Sequence, residues 1–288
     1  MEANKKMTLR LNGKAAVVTG GGGGIGRAVC LALAAEGASV VVNDFGTSTD
    51  GTKAADKVVN EIKKANGIAV ANYDSVATVV SAQMIIDTAT SNFGRIDILA
   101  NCAGNYISAP TVDMTQEQWD SEMAVHLGGH FSCSRAAARA MIKQKSGSII
   151  NVSSLGAFPI FGGSGTGYST AKAGIIGFTA ALSWELKEHG IRVNVIFPQA
   201  TTPLFTGTTP RGRPGIPLTT SLNPEDIAPM FVYLGTDEAK NITGQYIYAA
   251  GGDFSILDKP MKHRLFIRKI GRWTVDELSK IVPGLGLE

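Results

Sequence analysis

The chain has 288 residues, 44% of them hydrophobic, and a formal net charge of +3. That length buries a full core as one large domain or two small ones, and so weak a charge argues against a nucleic-acid partner. No apolar run reaches the roughly 18 uncharged residues of a membrane span, and the start "MEANKKMTLRLNGK" lacks the apolar centre of a secretory signal, so the expectation is a cytoplasmic protein with no stable membrane span.

In chain order, "AAVVTG", "ASVVVND", "GIAVANYD", "IDILANCAG", "GSIINVSS", "IRVNVIFP" and "QYIYAAGG" read as seven strands, several of them continuously apolar. Continuous apolar strands are buried on both faces. Between them lie helical stretches, among them "RAVCLALAAEG", "AADKVVNEIKKANG", "SAQMIIDTATSNFG", "SEMAVHLGGHFSCSRAAARAMIKQ" and "YSTAKAGIIGFTAALSWELKEHG", several closed by a glycine where a C-cap would stand. Strand and helix in regular alternation predict an α/β chain: a single-domain Rossmann fold with a doubly wound, seven-stranded parallel sheet and helices on both faces. The domain is expected over 1–252, with an extension over 253–288. Cys30, Cys102 and Cys133 are an odd number with neither a CxxC pair nor a nearby His cluster, so they read as reduced core residues and no metal site is expected.

The first strand ends at Thr19 and Gly20, and five glycines run from Gly20 to Gly24 before Ile25 and Gly26 open a helix. A helix N-terminus offers unpaired amides and partial positive charge, and a turn without side chains lets a pyrophosphate reach them. The second strand ends on Asp44, about twenty residues past the turn, where a carboxylate can accept from both ribose hydroxyls of an adenosine and repel a 2′-phosphate. Gly21, Gly22 and Gly23 supply no cation for that phosphate either, so the cofactor expected is NAD. Asp74, at the end of the third strand, is a candidate contact for the adenine amino group.

Chemistry is expected at the carboxyl ends of the later strands. There "INVSS" is followed by "YSTAK", which puts Tyr168 and Lys172 on one face at the start of a helix. An adjacent ammonium favours a phenolate, and such a tyrosine can exchange a proton with a substrate hydroxyl while hydride moves to or from a nicotinamide. Lys172 is also placed to hold the nicotinamide ribose.

These motifs resemble the short-chain dehydrogenases/reductases over almost all of Leu11 to Gly252: "TGGGGGIG" is similar to the TGxxxGxG turn, "NCAG" to NNAG, and "YSTAK" is a YxxxK. The resemblance implies that Tyr168 is the general acid/base, that Lys172 lowers its pKa, and that Ser154, in preference to Ser153, hydrogen-bonds the substrate oxygen. It implies that Asn101, Ala103 and Gly104 lie along the cofactor, and that either Thr201 or Thr202 reaches the nicotinamide carboxamide. It also implies a homo-oligomer, a tetramer or a dimer. His126 stands in "VHL" where the family has the relay asparagine of "VNL", and Gln199 stands where a glycine is usual.

"VVVNDFG", "AADKVVNEI", "AVANYDSV", "FGRIDIL" and "VHLGGHF" further resemble the (3R)-hydroxyacyl-CoA dehydrogenase domain of multifunctional enzymes and its bacterial relatives. That likeness implies a CoA thioester, with free cyclic, steroid or small secondary alcohols as the alternative and a non-catalytic dinucleotide-sensing module as a remote one. A substrate lid is expected over about 203–222, where Arg211 and Arg213 are either CoA-phosphate ligands or solvated side chains. The basic tail after Phe254 reads as a subunit-docking segment, or else as a clasp for CoA phosphates or a membrane surface. Within it, "TVDELSKI" looks like a short helix capped by Thr274 with Glu277.

Overall fold

The computed structural model describes residues 9–47, 51–158, 165–204, 221–258 and 280. The chain divides into two units, Met1–Leu257 and Asp258–Glu288, and every element below belongs to the first. Most of the expected lid, with Arg211 and Arg213, and almost all of the tail lie outside the described residues.

The strands are β1 (Ala15–Thr19), β2 (Ser39–Asn43), β3 (Ile68–Asn72), β4 (Ile98–Asn101), β5 (Gly147–Val152), β6 (Ile191–Pro198), β7 (Tyr246–Ala250) and β8 (Asp253–Ile256), and they form one sheet in the order β3-β2-β1-β4-β5-β6-β7-β8. The first seven run parallel, as their unbroken apolar sequences require. β8 is an addition to the expected seven: it turns back at Gly251 and Gly252 and pairs antiparallel with β7. The reason is local, since a two-residue turn suffices for an antiparallel hairpin whereas a parallel partner needs a crossover. Its side chains are mostly exposed, so no apolar run announces it.

The helices are α1 (Gly24–Ala35), α2 (Ala54–Lys64), α3 (Val79–Phe93), α4 (Gln116–Met123), α5 (Gly129–Gln144), α6 (Thr166–Glu185) and α7 (Ala228–Gly235). Alternate residues of β1 feed opposite faces: Ala16 and Val18 join the core built with α1, α2 and α7, while Val17 joins the core built with α3 and α5. Between α4 and α5 the backbone makes one π-helical turn, Ala124–Gly128, so the expected single long helix is interrupted at His126. Such turns are rare and recur at functional sites.

The strand order reverses between β1 and β4, and a doubly wound sheet opens a crevice at that point. Along its carboxyl edge a row of buried polar side chains runs in register across five strands: Asn72, Asn43, Thr19, Asn101 and Asn151. Asn43 Nδ2 donates to Asn72 Oδ1 at 2.8 Å and Asn101 Nδ2 to Asn151 Oδ1 at 2.9 Å. Asn151 Nδ2 passes the chain on to Thr179 Oγ1 of α6 at 2.9 Å.

Candidate active site

The glycine turn sits in the crevice. Gly20 and Gly24 adopt φ of 65° and 48°, which favour glycine, and a Cβ on Gly20 would lie 2.8 Å from Ala103 Cα. α1 starts from Gly23 without a side-chain cap, so its first amides are left for an anion. Thr19 Oγ1 accepts from the amides of Cys102 and Ala103 at 3.1 and 3.2 Å, which ties the "NCAG" segment against the turn. These features fit a dinucleotide: a cradle that side chains at Gly20, Gly22 or Gly26 would crowd, open at a helix N-terminus.

The acidic candidates lie on the same edge. Asp44 Oδ2 accepts from Gly22 N at 3.0 Å and Oδ1 from Gly46 N at 2.8 Å, so the backbone fixes the carboxylate beside the turn. Asp74 Oδ2 accepts from Asn72 Nδ2 at 2.7 Å and its carbonyl from Asn43 Nδ2 at 2.8 Å. Of the two threonines, Thr202 faces the turn, with Cβ 3.2 Å from a Cβ placed on Gly24, whereas Thr201 donates its amide to Leu222 O at 2.8 Å. Gln199 Oε1 accepts from Tyr248 Oη at 3.0 Å and its amide donates to Ala249 O at 3.1 Å.

Ser154, Tyr168 and Lys172 converge at the end of β5. Ser153 is committed elsewhere, its hydroxyl donating to Lys172 O at 2.8 Å, while Ser154 accepts from Gly156 N at 2.9 Å and hydrogen-bonds Tyr168. Tyr168 is only 5% exposed, and burial pushes its phenol up to about 12, opposed by the Ser154 bond and assisted by Tyr106 and Glu122. Lys172, 4% exposed, is pushed down to about 7 by burial. Its Nζ donates to Val152 O at 2.8 Å and lies 5.6 Å from the centre of the Tyr168 ring. Burial is the largest influence on both groups, and it acts in opposite directions, raising the phenol of Tyr168 and lowering the ammonium of Lys172.

His126 stands in the π turn, edge-on to Tyr168 with ring centres 5.3 Å apart. Its Nε2 lies 2.7 Å from the Asn105 carbonyl and 3.3 Å from the Asn105 amide, while its buried Nδ1 has no partner among the described residues. A Cβ on Gly104 would be 2.5 Å from His126 Cε1, so the glycine of "NCAG" makes room for this ring. Burial, then the charge of Lys172, holds His126 well below the usual histidine range.

Two residues of the site went unnoticed in the sequence. His130 is buried, its Nδ1–H donating to His126 O at 2.7 Å and its Nε2 accepting from Val152 N at 3.3 Å. Burial, followed by the charge of Lys172, pushes it down to about 3. Glu122, fully buried one turn before His126, accepts from Ile107 N at 3.0 Å through Oε1. The available signal was the spacing 122, 126, 130 along one helical face, but a lone acid or histidine in a helix is usually a surface residue.

His130 carries a pH prediction. The unfolded chain takes up a proton near pH 6.5 and the folded chain only near pH 3, so stability falls as pH drops through that window. We expect thermal unfolding of the wild type to lose on the order of a few kcal/mol between neutral pH and pH 4, and His130→Gln, which keeps a donor and an acceptor, to show a shallower decline. Parallel declines in the two proteins would contradict this.

A doubly wound sheet, a glycine cradle at its switch point and a Ser-Tyr-Lys cluster beside it define an α/β oxidoreductase of the Rossmann-like class. The chain belongs to the short chain dehydrogenase family, whose sequence model matches residues 14–211. It is 43% identical over 249 residues to a peroxisomal hydratase-dehydrogenase-epimerase of Neurospora crassa, covering 85% of this chain but 27% of that protein, so it spans about a quarter of that relative's length. A 3-oxoacyl-acyl-carrier-protein reductase of Synechocystis is 39% identical over 247 residues, with 84% of this chain and 97% of that one covered. A solved short chain dehydrogenase of Mycobacterium avium superposes with a TM-score of 0.84 at 37% identity, covering 96% and 95% of the two chains. The resemblances drawn from the motifs therefore hold, both to the family and to the multifunctional-enzyme branch. No described helix is long and apolar enough to cross a membrane.

Proposed function

We propose that the protein is an NAD(H)-dependent dehydrogenase that interconverts 3-hydroxyacyl and 3-oxoacyl thioesters, with CoA as the carrier. The observation that carries the reading is the convergence of Ser154, Tyr168 and Lys172 beside the glycine cradle. The thioester is supported by the two relatives whose names specify hydratase-dehydrogenase and oxoacyl-reductase activities.

The turn at Gly20, Gly24, Ile25 and Gly26 would hold the pyrophosphate, Asp44 the adenosine ribose and Asp74 the adenine. Asn101, Ala103 and Gly104 would lie along the cofactor below the adenosine ribose, Lys172 would hold the nicotinamide ribose, and Thr201 or Thr202 would reach the carboxamide. NAD held there would supply the acceptor for the hydride that leaves the carbinol carbon. Ser154 Oγ orients the substrate oxygen, and Tyr168 Oη takes its proton during oxidation and returns it during reduction. Lys172, when charged, stabilises the phenolate between those events, and His126 with its open Nδ1 borders the route by which the proton leaves. Homo-oligomerisation is part of the proposal, supported by exposed Phe131 and Trp184 on α5 and α6, and is read by sedimentation velocity.

The testing experiment is NADH formation by the purified protein across (3R)- and (3S)-hydroxyacyl-CoA thioesters, steroid alcohols, cyclic alcohols and small secondary alcohols. Turnover confined to one thioester configuration supports the reading, and turnover of free alcohols alone replaces the substrate class. For the cofactor, Asp44→Asn keeps an acceptor for the turn but removes the charge. We expect the preference for NAD over NADP to fall about tenfold, roughly 1.4 kcal/mol. Tighter binding of NADPH than NADH by the wild type would defeat the cofactor assignment.

A further inference from the structure

We propose that Glu122 is a positioning residue: its buried carboxylate clasps the first turn of α6 to the loop after β4, and so sets where the Tyr168 phenol stands. The proposal rests on the reading of Tyr168 as the acid/base. Glu122 is 0% exposed, a costly place for a carboxylate without fixed partners. Its Oε1 accepts from Ile107 N at 3.0 Å, and the residue before Ile107, Tyr106, packs edge-on against Tyr168 with ring centres 5.5 Å apart. Its Oε2 lies against α6, where a Cβ on Gly167 would come within 2.2 Å of it. Oε2 closes no hydrogen bond of ordinary geometry, yet the Tyr168 amide lies near enough to favour its charge.

Two features of α6 make this contact more than incidental packing. Its cap residue, Gly165, offers no side-chain bond and its first turn holds no acidic residue, so Glu122 supplies from another helix the negative charge that an N-terminus favours. Gly167 sits in that helical turn with no positive φ to require glycine, although alanine would be better by about 0.5–1 kcal/mol in a helix. The carboxylate is what occupies the missing side chain's place.

Tyr168 is the titratable group that faces Glu122, and Tyr106, His126, Lys172 and Ser154 face Tyr168 in turn. Burial holds the Glu122 carboxyl above its ordinary value against the pull of the Ile107 and Tyr168 amides, and once ionised it opposes the phenolate. Glu122→Gln keeps the acceptor for Ile107 and removes that opposition. Followed by tyrosinate absorbance in the full chain, with Tyr168→Phe subtracted to isolate the one phenol, Tyr168 should titrate roughly one pH unit lower in Glu122→Gln than in the wild type. Gly167→Ala displaces the carboxylate without changing charge and should lower kcat several-fold while KM for NAD stays unchanged. Superimposable titrations, or a Gly167→Ala variant of unchanged kcat, overturn the clasp. Undiminished turnover by Tyr168→Phe would instead overturn the acid/base reading, whatever Glu122→Gln shows.

Discussion

Tyr168→Phe is expected to lower kcat about a thousandfold while leaving NAD affinity within about twofold of the wild type, the scale of loss set by removing a general acid/base. The hydroxyl is the sole difference between the two side chains, and it hydrogen-bonds Ser154 within a buried cluster. The ring itself packs against Tyr106 and His126, contacts that phenylalanine retains. Stability should therefore move little, and the loss should fall on the chemical step. The measurement is steady-state turnover of the best substrate in the panel, beside a fluorescence titration with NADH. Wild-type rates in the variant would remove Tyr168 from the mechanism and leave Ser154 and Lys172 without the group they surround.

Gly26→Ala should abolish measurable NAD binding and destabilise the fold. A Cβ there would stand 2.0 Å from Gly20 O and 2.7 Å from Gly20 C, both backbone atoms that cannot rotate aside. α1 would have to lift away from the end of β1, and its N-terminal amides would leave the cradle they line. Overpacking of this kind costs about 1–3 kcal/mol before any loss of ligand is counted. Gly23, three residues earlier, is the contrast: its Cβ would meet nothing within 4 Å, and its φ of −162° suits any residue. Gly23→Ala should fold with wild-type stability, so calorimetry and NADH titration of the two variants separate a need for space from a need for flexibility. Equal behaviour of the two would show that the run of glycines acts as a whole.

Seven strands, their order of direction and the glycine turn were legible because each depends on residues close in sequence. Val17 and Val18 must both be buried, and only a sheet covered on two faces allows that. β8 was missed because "DFSI" is short and largely exposed, and its pairing follows from the turn at Gly251 and Gly252. Glu122 and His130 were missed for a different reason. They flank the π turn at 124–128, and nothing in "SEMAVHLGGH" marks the extra residue in that turn. Ser154 was preferred to Ser153 through the family resemblance alone, whereas the engagement of the Ser153 hydroxyl by the carbonyl of Lys172 is a contact between elements that no local pattern announces.

The polar row across the carboxyl edge has a further consequence, for the folding of the sheet. Its strands are short and apolar on both faces, so sliding one past its neighbour by two residues would keep every valine and isoleucine buried. Such a slip would, however, strand Asn43, Thr19, Asn101 and Asn151 opposite aliphatic neighbours, with their amides and hydroxyl cut off from both water and one another. Each orphaned group costs about 1–3 kcal/mol, comparable to a large share of the stability of a whole domain. The row thus works as a ruler, rejecting misaligned sheets that hydrophobicity alone would accept.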